Sequence, residues 1–202
     1  IDDIMDRVVV SHKWMGDQFR KYLETYDQFD DFKNLLRATT AIVISYDVRP
    51  AFYSPTIAAI YIDPSYLWET PAQRDTINQA PDYRSNFGEE LQFEMPWRYV
   101  KDNDYAYYSY PIRYRLSRTL EDLHYALASL LYHELAHAND YFPSTNWLTY
   151  STNTTVYDAV VEVYNANEII SDFLQDNYPL DPLYASGGQN ELTKLAQVRF
   201  RN

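Results

Sequence analysis

At 202 residues with 46% hydrophobic content, the chain is long enough for one domain with its own core and too apolar to be disordered. Its net charge of −12, from 17 basic and 29 acidic residues, argues against a general nucleic-acid binder or a protein of anionic membrane surfaces. No apolar run approaches the ~18–20 residues of a membrane span, and the lack of cysteine excludes disulfides, thiolate-bound metal and thiol catalysis.

In chain order, the first forty residues show helical spacing. Ile4, Val8, Val9 and His12 recur on one face, then Phe19, Leu23 and Tyr26, then Phe29, Phe32, Leu35 and Leu36. Breaks at Gly16 and around Asp27 predict two or three short helices. Thr40 to Tyr46 is a predicted strand. Thr56 to Ile62 is a second, after the turn signals Pro50 and Pro55. Pro71 to Gln79 reads as a short helix capped by Thr70. Pro81 to Pro111 is aromatic and irregular, long enough to be a functional loop or to hold short strands. Within it, Tyr105, Tyr107, Tyr108 and Tyr110 read as a strand with one packed face, or as the wall of a peptide or sugar site.

Thr119 to about Asn139 is the clearest helix, with Glu121 and Asp122 in its first turn and Pro143 past its end. Val156 to about Gln175 is a second long helix, with Val160, Val163, Ile170 and Phe173/Leu174 on its apolar side. Glu191 to Arg201 reads as a last helix. Helices, strands, an aromatic stretch and two long helices in that order predict an α+β fold rather than alternating βα units.

Residues 133–137 read His-Glu-Leu-Ala-His, an HExxH motif. At this chain's His and Glu content, chance would supply the pattern roughly 0.004 times. On a helix His133 and His137 share a face, so both imidazoles can hold one ion. Glu134 is offset by about 100°, placed to touch a water without ligating the ion. The opposite face, Leu123, Leu127, Leu131, Leu135 and Ala138, reads as core. A plain pair of helix histidines is the alternative reading. His124 is out of phase with His133 and reads as a half-buried structural histidine; His12 reads as structural or exposed.

A catalytic zinc needs a third protein ligand and an open position. Asp140 and Glu168 are the candidates. At about 1.5 Å per residue, Asp140 starts roughly 7–8 Å beyond the midpoint of the two histidines, so it reaches only if the helix breaks after Asn139. Glu168 has a longer side chain and comes from the second helix. Asp172 follows it by four residues and can accept the second ring N–H of a ligating histidine.

His-Glu-Leu-Ala-His-Ala followed by Asn-Glu-Ile-Ile-Ser-Asp at 167–172 resembles the active site of the gluzincins, the thermolysin-like zinc metallopeptidases. The resemblance implies a zincin-like fold with His133, His137 and Glu168 as zinc ligands, Glu134 as general base, and Asp172 supporting a ligand histidine. It also implies an antiparallel edge strand above the helix that pairs with substrate backbone, for which Thr56 to Ile62 is the candidate. No histidine follows His137, so Tyr178, Tyr184, Arg199 and Arg201 are the residues available to stabilise an oxyanion.

The expectation is therefore one zincin-like α+β domain over 1–202, with a small, mostly antiparallel sheet. N-terminal helices occupy 1–40, strands and aromatic loops 41–116, and zinc-binding helices 117–202. The expected activity is zinc-dependent hydrolysis of a peptide or protein substrate, with no nucleic-acid partner and no membrane span. Acidic, Tyr-rich, Cys-free composition points to an extracellular or periplasmic protein. The alternative is an exported Tyr-rich binding module whose zinc site is structural or inactive.

Overall fold

The strand predicted around Thr40 to Tyr46 lies inside a four-stranded sheet. The computed structural model describes residues 1–81, 99–108 and 110–166. The expected site residues Glu168, Asp172, Tyr178, Tyr184, Arg199 and Arg201 lie outside them, as does the expected helix over 191–201. The described helices are α1 (Asp2–Met5), α2 (Lys13–Tyr26), α3 (Asp31–Leu35), α4 (Pro71–Arg74), α5 (Leu120–Tyr141) and α6 (Val156–Ala166). The described strands are β1 (Val8–Val10), β2 (Ala41–Ile44), β3 (Phe52–Ser54), β4 (Ala59–Ile62), β5 (Val100–Lys101) and β6 (Asp104–Tyr105). The fold is mixed α+β.

The main sheet runs in the order β1-β2-β4-β3. β1 and β4 both pair with β2 in parallel, and only β3 is antiparallel, with Tyr53 opposite Ile60. The sheet is thus mixed rather than mostly antiparallel. The cause is the connection from β1 to β2: it runs through α2 and α3, a crossover long enough to bring the chain back in the same direction. Ile42, Ile44, Ile60 and Ile62 are fully buried from the two central strands.

Further expectations change: α2 runs unbroken through Gly16, and the helix expected over Pro71 to Gln79 ends at Arg74. Residues 1–40 are not all helical, because Val8–Val10 is a strand. Ile4 belongs to a four-residue helix that ends before the valines. Three consecutive β-branched residues lose more in a helix than in a sheet, and the ladder to Ile42–Ile44 is available. Nor is Thr56 to Ile62 the edge strand. Pro55–Ile57 is a 3-10 turn, Ala59–Ile62 lies in the sheet interior, and the antiparallel edge is Phe52–Ser54. Of the four tyrosines at 105, 107, 108 and 110, Tyr105 alone is in a strand. Its hairpin turns at Asp102 and Asn103, both at positive φ (53 and 65°), as a tight two-residue turn requires.

α5 starts at a capping box. Thr119 accepts from the Asp122 N–H, and the Asp122 carboxylate accepts from the Thr119 N–H at 2.7 Å. Leu123, Leu127, Leu131, Leu135 and Ala138 are each exposed by 1% or less, so the predicted core face is the core face. α5 packs on α2, α3, α6, β3 and β4. Three side-chain bonds hold it in place: Tyr132 donates to Asp31 at 2.8 Å, Asn139 donates to the Leu35 carbonyl at 3.1 Å, and Tyr22 meets Nδ1 of His124 at 3.2 Å. One hydrophobic cluster runs from Ile4 to Ala159. Among the described residues, no helix is long and apolar enough to cross a membrane.

Candidate metal centre and adjoining cleft

His133 and His137 stand one turn apart on α5, and their rings meet edge to face with centroids 5.0 Å apart. His137 is half-buried, while His133 opens to solvent on one side. Desolvation lowers both pKa values, and the neighbouring His137 lowers that of His133 further. Both imidazoles are therefore held in the neutral form, the form that keeps a nitrogen lone pair for a metal. Two adjacent neutral imidazoles match the nitrogen part of a zinc donor set.

Glu134 is 5% exposed. Burial pushes its carboxyl up to about 7, and a hydrogen bond from the backbone of Tyr53 opposes that rise. Tyr53 is the middle residue of the edge strand β3, so the sheet edge holds the carboxylate. No sequence signal marked this contact, because β3 is three residues long and lies between two prolines.

Asp140 is half-buried near the end of α5. Among the described residues, no three His, Cys, Asp or Glu side chains form a group able to hold a metal ion, so Asp140 does not complete a triad with His133 and His137. Glu168 and Asp172, the other candidates, fall outside the described residues. His124 faces away from the pair, stacked on Tyr26 at 3.9 Å. His12 caps α2 and contacts the Ser11 hydroxyl at 3.0 Å.

Glu134 borders a cleft of about 550 Å³, together with Leu130 and Ala126 from the same face of α5. Trp68, Arg74 and Arg118 form part of its wall, and Tyr107 and Tyr110 line it too. So two of the four tyrosines at 105–110 face a cavity without forming a strand. Trp68, Arg74 and Arg118 come from three separate segments, and only the fold brings them together.

No family model matches this chain, and no curated protein or solved structure shows significant similarity to it.

Proposed function

We propose that the chain hydrolyses peptide bonds as a zinc-dependent metallopeptidase. The observation that carries this reading is the placement of Glu134: its buried carboxyl borders the large cleft and sits next in sequence to one of two paired, neutral imidazoles on the same helix. The HExxH motif and its gluzincin resemblance supply the chemical class.

His133 and His137 would hold the zinc, with Glu168 as the third ligand that the resemblance implies. Zinc would supply Lewis-acid polarisation of a carbonyl and lower the pKa of water. The chain's own residues do the rest. The Glu134 carboxylate accepts a proton from water and returns it to the departing amine. Burial raises the Glu134 carboxyl above the usual carboxylate range and so makes it a stronger base than an exposed glutamate. The Tyr53 backbone stabilises the charged form and fixes its orientation. The cleft beside Glu134 has room for a peptide segment.

Glu134→Gln tests this directly. Gln keeps the size but cannot take a proton. Hydrolysis of casein or a peptide library should fall by about 10²–10⁴-fold, with metal content unchanged. Equal activity in variant and wild type would remove Glu134 from the chemistry. A wild type that binds zinc but cleaves nothing would contradict the peptidase reading and favour a binding module.

A further inference from the structure

Arg74 and Arg118 are 4% and 5% exposed, as buried as core leucines, yet both line the cleft that holds Glu134. Their guanidinium carbons lie over the ring of Trp68, at 4.8 and 3.7 Å from its centroid. Backbone carbonyls take some of their N–H groups. Arg118 donates to Trp68 O at 2.6 Å and to Ser65 O. Arg74 donates to Tyr110 O at 3.2 Å and Ile112 O at 3.0 Å.

Two carboxylates, Asp63 and Glu134, line the same cleft, and Asp63 accepts from the Ser65 N–H at 2.8 Å. Among the described residues no carboxylate forms an ion pair with either arginine. Asp122 attracts Arg118 at longer range, but its carboxylate is taken up by the α5 cap. Nε of Arg74 is buried with no acceptor among the described residues. Buried cations are ordinarily paired, and a chain with 29 acidic residues has no shortage of partners. Two that lack them, stacked on one indole and facing one cavity, form a built acceptor site. Desolvation draws Arg118 down to about 10, as expected of a buried cation whose charge is not fully compensated.

We infer that the Arg74–Trp68–Arg118 wall is a subsite for a carboxylate group, so that the cleft takes peptides bearing a carboxylate alongside Glu134. The N–H groups that the backbone bonds leave over are charged donors suited to a carboxylate, and the indole holds both guanidinium groups in place. The carboxylate comes from an acidic side chain or from a chain terminus. The subsite reverses locally what the net charge of −12 implies, which is repulsion of acidic substrates. That the ligand is a peptide rests on the peptidase reading; the carboxylate preference does not.

The test uses three capped amino acids on the protein as purified, with affinity read by calorimetry. N-acetyl-glutamate amide carries a side-chain carboxylate, N-acetyl-glutamine a terminal one, and N-acetyl-glutamine amide neither. At least one carboxylate compound should bind about tenfold or more tighter than the neutral amide, and the binder names the source. Arg74→Lys and Arg118→Lys keep the charge but lose the planar guanidinium and its stacking on Trp68, so the preference should shrink in each variant that still melts cooperatively. If neither variant folds, the wild-type comparison decides alone. Equal affinity for all three compounds, or no binding of any, overturns the inference, as does an unchanged preference in both folded variants. Since binding needs no turnover, a protein that prefers carboxylates but hydrolyses nothing keeps the subsite and loses the peptidase reading.

Discussion

His124 lies nine residues before His133 on α5, on a face turned toward α2. Burial lowers its pKa to about 4, and the Lys101 charge adds to the effect. In the unfolded chain it titrates near its ordinary 6.5. The folded state thus holds it neutral where the unfolded state takes up a proton. Stability from this residue is complete above about pH 6.5, declines as pH falls toward 4, and levels off below. Since the ring is only half-buried, the loss should be on the order of 1–2 kcal/mol rather than the full shift. His124→Gln should flatten that part of the profile. Urea melts at pH 7, 5.5 and 4, taken as the difference between the two proteins, isolate it from the carboxylates; identical slopes would refute the assignment. The carboxylates proposed around the zinc can be ranked in the same spirit. Glu168→Ala should lose zinc most, Asp172→Ala should weaken it about 10–100-fold, and Asp140→Ala should change it little, as read by chelator competition. A harmless Glu168→Ala beside a damaging Asp140→Ala would make the centre His-His-Asp.

At the scale of elements, α5 carries both core and site. Its apolar stripe fixes the helix against β3, β4, α2 and α3, and that fixes where His133, Glu134 and His137 point. Leu131→Ala should cost about 2–5 kcal/mol, measured by urea denaturation, because Leu131 is fully buried. Thr119→Ala should cost about 1 kcal/mol through loss of the cap. A Leu131→Ala protein as stable as wild type would mean the stripe is not packed as described. These features were legible because each is local: the cap, the leucine periodicity, and Thr70 before Pro71, which forms a capping box with Gln73. β1 was misread because Ile4 and Val8 happen to fall at helical spacing. β3 was missed because Phe52–Ser54 is too short to show alternation and exists only through its pairing with β4. The arginine wall is a tertiary product of residues 68, 74 and 118 and left no pattern in the chain.

For the molecule as a whole, the charge and the cleft pull in opposite directions. A chain of net charge −12 holds a cleft lined by Arg74, Arg118 and the buried Glu134, and Glu134 follows His133 directly in the HExxH motif. The peptidase reading requires that the histidine pair hold a metal. The most direct test is therefore the metal content of purified protein by atomic emission after dialysis, wild type beside His133→Ala and His137→Ala. The wild type should retain about one zinc per chain, and each variant should lose most of it. A wild type without zinc after incubation with the metal, or full zinc occupancy in both variants, would contradict the account.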